Sequence, residues 1–193
     1  MLKTKARVAA ILAFCIDISY AGSLDLKPYL DLYQNFPKAG INYVDINSLL
    51  SNPSIFNTAM EQMTERYKNT GIQAIVAIES RGFIFGAALA QKLGLPLILA
   101  RKPNKLPGVV SKYCYKKEYG SDCLEIQKKA MKDHQKILVI DDIYATGGTI
   151  QAVVNLLERN GIKHIELAVI GKVNNIPGQT MPSYPLYSLV EFD

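Results

Sequence analysis

The stretch ILVIDDIYATGGT, residues 137–149, joins an apolar run, two adjacent acids and a turn of small residues. Its first four residues are typical of a strand that is buried on both faces of a parallel sheet. We expect Asp141 and Asp142 to emerge where this strand ends, and the turn to lead into a helix that begins near Gly148. In open α/β sheets ligands bind beyond the carboxyl ends of the strands, so the stretch predicts both a fold class and a site.

The turn that follows the two acids has the composition of a phosphate cradle. Glycine lets backbone N–H groups approach a ligand closely, and the start of a helix adds unpaired donors and the positive end of its dipole. Because carboxylates repel a phosphate, Asp141 and Asp142 should instead face the hydroxyls of a sugar or a divalent cation that the ligand carries. A plain Asp cap before a glycine-rich turn is the alternative. The residues predicted to bind the phosphate are Ala145, Thr146, Gly147, Gly148 and Thr149.

Apolar runs alternate with amphipathic segments along most of the chain. Residues 24–36 are compatible with a short amphipathic helix that ends before Pro37. This alternation predicts an α/β fold with an open, mainly parallel, twisted sheet and flanking helices. The predicted strands are 74–78, 95–100, 136–140 and 164–173, and the predicted helices are 53–70, 81–94 and 148–161.

Residues 101–132 interrupt the alternation with a basic, tyrosine-containing segment that turns at YGSD, residues 119–122. The segment is typical of a long β-hairpin that projects from the sheet. An excursion of this length is more often a functional lid than filler, so we predict a projecting β-hairpin lid. For Tyr113 and Tyr115 we expect packing within the lid and against a second subunit. Stacking of the hairpin tyrosines on single-stranded nucleic acid is the alternative.

Composition limits the kinds of function that the chain can have. With 193 residues, 49% of them hydrophobic and 20% charged, it suits one domain of an ordinary soluble protein. The first 21 residues carry +2 of the net charge of +5, and the modest remainder favours small anionic ligands, with no nucleic-acid partner expected. The three cysteines have no CxxC spacing, which argues against a structural zinc site, and their low number favours the cytoplasm.

Residues 1–21 have the layout of a secretory signal peptide. Three basic residues come first, VAAILAFCI at 8–16 is apolar throughout, and Ser19 and Ala21 form a small-x-small pattern. The apolar run is too short to span a bilayer, so no stable membrane association is expected. An appended hydrophobic helix and a start codon assigned too far upstream are the alternatives. Export therefore stands as the alternative to a cytoplasmic location.

The segment VIDDIYATGGT, residues 139–149, resembles the phosphoribosyl-diphosphate signature of the type I phosphoribosyltransferases. Further motifs resemble the adenine phosphoribosyltransferases in order and spacing: FPKAGINYVDI at 36–46, ESRGFIFGAALAQKLG at 79–94, ARKPNKLPG at 100–108, EYGSDCLEIQKKA at 118–130 and YPLYSLVEF at 184–192. The resemblance runs from about Leu24 to the C-terminus. It implies one phosphoribosyltransferase domain over 22–193, with a small hood at about 22–50 and the lid at about 101–132.

The resemblance implies transfer of a 5-phosphoribosyl group from 5-phosphoribosyl 1-diphosphate to N9 of adenine, which yields AMP and diphosphate. It also implies a homodimer and Mg2+ as cofactor, held mainly through the diphosphate and the ribose. In this reaction the diphosphate departs from an oxocarbenium-like sugar, so cations are needed to stabilise the leaving group. A carboxylate is also needed to hold or transfer the proton on the purine. A 6-oxopurine phosphoribosyltransferase and a catalytically weak sensor of the sugar donor or AMP are the alternatives.

Residue roles follow from the same resemblance. Asp141 and Asp142 would hold the ribose hydroxyls, and residues 145–149 the 5-phosphate. Glu118 and Tyr119 on the lid would close over the reacting centre and form the catalytic set with Arg81. The residues implied for the diphosphate are Arg81, Arg101, Lys102 and Lys105, and those implied for adenine are Asn42, Tyr43, Val44 and Ile143.

Two positions depart from the family pattern, and two cysteines flank Glu118. Val44 stands where the family usually has arginine, so we expect weaker binding of the sugar donor before any loss of chemistry. Tyr144, usually a leucine, is expected to border the base pocket and to influence purine preference. Our hypothesis for Cys114 and Cys123 is that they oxidise and pin the lid if the chain is exported. The resemblance also implies a non-proline cis peptide between residues 79 and 80.

Overall fold

A computed structural model of the protein describes residues 24–116 and 121–193. A 3-10 helix covers Lys27–Tyr29. The strands are β1 (Asp31–Gln34), β2 (Asn42–Asp45), β3 (Ala74–Ile78), β4 (Leu97–Ala100), β5 (Val110–Lys116), β6 (Ser121–Gln127), β7 (Lys136–Tyr144), β8 (His164–Val173) and β9 (Leu186–Phe192). The helices are α1 (Asn47–Leu50), α2 (Pro53–Tyr67), α3 (Gly82–Leu93), α4 (Lys128–Met131) and α5 (Gly148–Arg159).

Five strands form the central sheet in the order β4-β3-β7-β8-β9. Each strand of this sheet pairs with its neighbours in parallel orientation. All of β3 and most of β7 and β8 are buried, as their apolar sequences predict for strands that are covered on both faces. The predicted fold class, an open α/β sheet with flanking helices, is therefore confirmed.

Helices cover both faces of this sheet. On one face α2 and α3 share a core cluster with Leu138 and Ile140 of β7. On the other face α5 shares a second cluster with Ile137 and Val139. Gly94 ends α3 as predicted, with a φ of +65° that favours glycine. Because successive residues of β7 point to opposite faces, the two clusters hold this strand from both sides.

The helix predicted at 24–36 is wrong. The segment forms the 3-10 helix and then β1, which pairs antiparallel with β2. Leu26 and Leu30 are buried whereas Leu32 and Tyr33 are exposed, so the apolar residues do not share one helical face. The backbone groups of β1 find their partners on a strand further along the chain, and local periodicity does not reveal such a pairing.

Strand ends in the central sheet also differ from the sequence prediction. β4 begins at Leu97 rather than at residue 95, and β7 continues to Tyr144 rather than ending at residue 140. The longer β7 is held by β8, which pairs with it as far as Tyr144 and Lys172. The two acids of the opening motif therefore lie within the strand. Periodicity did not predict β9, in which most residues are only partly buried.

The segment predicted as a projecting lid contains the antiparallel pair β5 and β6. Its base is anchored to the sheet, because Arg101 and Glu125 exchange two backbone hydrogen bonds. Tyr113 and Tyr115 of β5 pack against the core cluster that contains α5, so this arm does not project freely. Residues 117–120 lie outside the described residues, and the role of the segment as a lid stays a prediction.

Cys114 and Cys123 are directly opposed in this hairpin and form a disulfide. Sequence alone did not establish the register that brings them together. The disulfide ties the two arms next to the segment 117–120. Oxidation of this pair, the first half of our hypothesis, is therefore present in the structure.

Within the two described ranges, no helix combines the length and the apolar character that crossing a membrane requires. The signal peptide predicted at 1–21 lies outside these ranges. The domain boundaries predicted at 22–193, and a hood at 22–50, stay predictions.

We expect the full-length, denatured and unreduced protein to react with a maleimide at one of its three cysteines, and at all three after reduction. The reason is that Cys114 and Cys123 are bonded to each other. Intact mass spectrometry counts the adducts. A Cys114→Ser, Cys123→Ser double variant is the control, because its count should not change on reduction. Three adducts without reduction would contradict the disulfide.

Gly86→Ala should destabilise the fold, because α3 packs closely on the sheet at this glycine. A Cβ there would lie 2.5 Å from Ala77 Cβ and 3.1 Å from Ile140 Cγ2. Overpacking costs about 1–3 kcal/mol, which outweighs a gain of about 1 kcal/mol in helix propensity. Urea unfolding measures the effect, with Ala87→Ser on the exposed face of the same helix as control. A variant as stable as the parent would show that the packing at α3 relaxes without penalty.

Candidate active site

Three chain segments meet at the carboxyl edge of the sheet, because β4, β3 and β7 are neighbours. They are residues 79–81 after β3, residues 101–105 after β4, and residues 141–149 at the end of β7. Each contains residues that the sequence predicted to bind the sugar donor. The peptide between Glu79 and Ser80 is cis, as expected.

Asp141 and Asp142 lie side by side near the end of β7. The Asp142 side chain is 7% exposed, and the Asp142 N–H donates to Asp141 Oδ1 at 2.9 Å. Burial raises the pKa of Asp141, the neighbouring charge of Asp142 also raises it, and Arg81 lowers it. A carboxyl pair in which one member takes up a proton readily suits the hydroxyls of a sugar, which can both donate and accept.

Arg81 connects these acids to β2. Its Nε lies 2.6 Å from Asp142 Oδ2. Its Nη1 donates to the Tyr43 hydroxyl at 2.9 Å and to the Val44 carbonyl at 3.2 Å, and its guanidinium lies over the Tyr43 ring. The ion pair lacks hydrogen-bond geometry, so Asp142 Oδ2 accepts no hydrogen bond within the described part of the chain. That oxygen is buried in the ligand-free site, so a ligand hydroxyl would reach it only after Arg81 moves away.

Glu79 is a site residue that sequence reasoning did not select. Its carboxylate is 9% exposed and accepts hydrogen bonds from Lys105 Nζ and the Lys102 N–H at 2.9 Å, and from Arg101 at 3.3 Å. Although burial raises it, these hydrogen bonds lower the pKa of Glu79 to about 2. Glu79 is thus a stable anion among the predicted diphosphate ligands. The signal that could have identified it is an acid placed directly after a buried strand.

The four predicted diphosphate cations do not form one cluster. Arg101 and Lys105 contact Glu79, whereas Arg81 contacts Asp142. Lys102 is exposed and reaches Glu79 through its backbone N–H. In this state the cationic side chains nearest the sheet edge are paired with carboxylates of the protein.

The segment that follows β8 contacts the glycine-rich turn 145–149 and holds it in place. Gly147 has a φ of +82°, and a Cβ there would lie 2.7 Å from the Thr180 carbonyl oxygen and against the Tyr144 hydroxyl. The Thr180 N–H donates to the Thr146 carbonyl at 2.8 Å. α5 begins within the turn, as predicted. A cavity of about 80 Å³ is lined by Asp141, Ile143, Tyr144, Ala145, Thr146, Gly147, Thr149 and Ile150.

The residues predicted to bind adenine lie on β2 and β7. Asn42 is exposed and Tyr43 is half-buried. Val44 is 2% exposed and belongs to the core cluster that Ile143 also joins. The side chain that replaces the family arginine therefore fills the core, and only backbone groups of Val44 face Arg81.

Tyr144 is buried on the opposite face of the sheet from Val44. It belongs to the core cluster on the α5 face of the sheet, opposite the cluster of Val44. Its hydroxyl donates to the Thr180 carbonyl, which places the side chain beside the glycine-rich turn. Successive residues of a strand face opposite sides, so Ile143 and Tyr144 join different clusters, and the influence of Tyr144 on purine preference stays a prediction. The predicted catalytic residues Glu118 and Tyr119 lie outside the described residues.

Glu79→Gln should lower the free energy of unfolding at neutral pH by about 1–3 kcal/mol, because it removes the charge that pairs with Arg101 and Lys105. The folded-state pKa of about 2 lies below the ordinary value of 4.5, so this contribution is present above pH 4.5 and is lost as the pH falls toward 2. The difference between parent and variant should therefore shrink over that range.

Urea unfolding at pH 7 and pH 3 measures this difference. Glu65→Gln is the control, because Glu65 pairs with Lys68 on the surface and its side chain is 66% exposed. Equal stability of parent and Glu79→Gln at both pH values would contradict a structural role for this carboxylate.

Comparison with known proteins gives relatives over nearly the whole chain. Residues 45–190 match the family model of the phosphoribosyl transferase domain. Adenine phosphoribosyltransferase 2 of Arabidopsis thaliana is 40% identical over 182 residues, which cover 92% of this chain and 95% of the relative. The adenine phosphoribosyltransferase of Cronobacter sakazakii is 42% identical over 170 residues, 86% of this chain and 93% of the relative.

Solved structures of similar proteins share the fold. The Saccharomyces cerevisiae adenine phosphoribosyltransferase, complexed with an imino-altritol bisphosphate and adenine, has a TM-score of 0.78 and 36% identity over 85% of this chain and 96% of its own. The Giardia lamblia enzyme, complexed with 9-deazaadenine, has a TM-score of 0.79 and 32% identity over 88% and 97%. The Trypanosoma brucei enzyme, in complex with AMP, pyrophosphate and ribose-5-phosphate, has a TM-score of 0.74 and 28% identity over 86% and 78%.

These matches agree with the site geometry, in which two acids, a glycine-rich turn and a helix start lie together at the carboxyl edge of a parallel sheet. The chain belongs to the adenine phosphoribosyltransferase family.

Proposed function

We propose that this protein transfers the 5-phosphoribosyl group of 5-phosphoribosyl 1-diphosphate to N9 of adenine and releases AMP and diphosphate, a reaction of purine salvage. One observation carries the proposal: Asp141 and Asp142 lie two residues before the glycine-rich turn that leads into α5, while Arg81 contacts Asp142. This arrangement offers hydroxyl acceptors, phosphate donors and a cation within one short stretch of sheet edge.

The cations of the site would stabilise the diphosphate as it leaves. Cleavage of the bond to C1 of ribose leaves an oxocarbenium-like sugar and a highly charged leaving group, so positive charge is needed on one side. Arg81, Arg101 and Lys105 are paired with Asp142 or Glu79 in the ligand-free site. Binding of the sugar donor would exchange these partners for phosphate oxygens, while Asp142 accepts bonds from ribose hydroxyls.

The base would enter between β2 and the end of β7. Asn42, Tyr43 and Val44 would read the adenine edge, largely through backbone groups, and Ile143 would pack against the ring. Val44 has its side chain in the core, which leaves its backbone for this role. Glu118 would hold the proton at N7 as N9 attacks, and Tyr119 would help to exclude water from the activated sugar.

The carboxylates at this edge suit a hard divalent cation for which water and substrate supply most of the ligands. Among the described residues, no group of three or more His, Cys, Asp or Glu side chains is arranged to hold a metal ion. Mg2+ commonly binds through one or two carboxylates together with substrate phosphates. Mg2+ would be held mainly through the diphosphate and the ribose, whose hydroxyls Asp141 and Asp142 bind, and it would neutralise charge on the diphosphate.

We also propose a homodimer in the cytoplasm. The exposed apolar residues Leu32, Phe36 and Ile41 on and beside β1 and β2 support a subunit contact near the site. The sugar donor is a cytosolic metabolite, which supports a cytoplasmic location. The disulfide favours an oxidising compartment, and this leaves export of the chain as the alternative.

An assay with equal concentrations of adenine, hypoxanthine, guanine and xanthine tests the activity. We expect AMP as the only nucleotide product in the presence of Mg2+ and the sugar donor. Asp142→Asn should lower kcat/KM at least about tenfold, because hydrogen bonds to a charged carboxylate contribute about 1.5–3 kcal/mol.

Asp133→Asn is the matched control, since Asp133 is exposed in the turn before β7. It should leave the rate unchanged. If the main product were a 6-oxopurine nucleotide, the substrate would be a 6-oxopurine base and not adenine. Tight binding of the sugar donor with no turnover on any base would identify a sensor instead.

A further inference from the structure

β5 lies along α5 and contacts both ends of this helix. Near the end of the helix, Asn160 Nδ2 donates to Ser111 Oγ at 2.8 Å, and the Arg159 guanidinium lies 4.5 Å from the centre of the Tyr113 ring. At its start, the Tyr115 hydroxyl lies 3.2 Å from Thr149 Oγ1. Ser111, Tyr113 and Tyr115 are alternate residues, so one face of the strand follows the helix to the glycine-rich turn.

The Tyr115 ring covers the first turn of α5. Two of its ring carbons lie 3.5 Å from the point that a Cβ on Gly148 would occupy. The side chain is half-buried and packs against the core cluster of α5. Its position along the hairpin is fixed by the neighbouring disulfide between Cys114 and Cys123. The hydroxyl is therefore held next to Thr149 by the packing of the ring against α5 and by the disulfide that joins β5 to β6.

We propose that Tyr115 is a positioning residue for the 5-phosphate and acts through the hydroxyl of Thr149. This inference rests on the proposed function, in which the turn 145–149 binds the phosphate. Phosphate oxygens accept hydrogen bonds, so Thr149 must donate its one hydroxyl proton to the ligand. Thr149 Oγ1 then accepts a hydrogen bond from Tyr115, which orients the Thr149 proton and strengthens its bond to the phosphate.

The role is distinct from the one the sequence predicted for this tyrosine, which was packing alone. A packing role depends on the ring, whereas the proposed role depends on the hydroxyl. Tyr115→Phe separates the two, because it keeps the ring against Gly148 and removes only the group that contacts Thr149. Tyr113→Phe is the matched control, since Tyr113 lies on the same face of β5 and contacts Arg159 through its ring.

Steady-state kinetics and calorimetric binding of AMP and adenosine test the proposal. Tyr115→Phe should raise KM for 5-phosphoribosyl 1-diphosphate and Kd for AMP by roughly threefold to tenfold, the range expected for one neutral hydrogen bond. The KM for adenine, the Kd for adenosine and kcat should stay near the wild-type values. Tyr113→Phe should leave all five constants unchanged, and urea unfolding should show both variants folded.

A double-mutant cycle with Thr149→Val tests whether the two hydroxyls act as one unit. Once Thr149 has lost its hydroxyl, Tyr115→Phe should have no further effect on the Kd for AMP. Three results would each overturn the inference. The first is equal affinity of Tyr115→Phe and wild type for AMP, and the second is additive effects of the two substitutions. The third is weakened binding of adenosine as well as AMP. Failure of the wild-type protein to bind AMP and the sugar donor would overturn the proposed function and this inference with it.

Discussion

The backbone pairing of β7 with strands on both sides is the constraint on which the site depends. β7 is bonded to β3 on one side and to β8 on the other, and apolar clusters cover it on both faces. A slip of one residue would shift its backbone pairing with β3 and β8 and exchange the side chains that are packed in the two clusters. Asp141 and Asp142 are therefore fixed at the carboxyl edge, and the turn that follows begins α5 at a defined place.

Charge balance is the second constraint on this edge. Buried or half-buried ionic groups are costly unless they are paired, and the site contains several of both signs. Glu79 holds Arg101 and Lys105, while Asp142 holds Arg81. The ligand-free protein thus provides internal anions where the proposed substrate would bring its own. These carboxylates keep the cations in place before the donor binds, and they remain at the sheet edge when phosphate oxygens take over the cations.

β2 shows how a departure from the family pattern is accommodated. The family resemblance places an arginine where this chain has Val44, and the structure uses the valine to fill the core. The neighbouring Tyr43 contacts Arg81 through both its hydroxyl and its ring. A polar link between β2 and the end of β7 therefore exists, although its cation comes from the segment after β3. Arg81 therefore joins the residues proposed for the base to the acids proposed for the ribose.

The sequence by itself determined the elements whose signals are local: β3, β8, α3 and α5 were predicted because apolar runs, helical periodicity and glycine stops lie within each segment. It also determined the acid pair and the turn 145–149. Only the tertiary structure decided the β1–β2 pairing, the register that joins Cys114 to Cys123, and the gathering of cations around Glu79. These features depend on contacts between segments distant in sequence, and no local pattern encodes which backbone groups or charges will meet once the chain has packed.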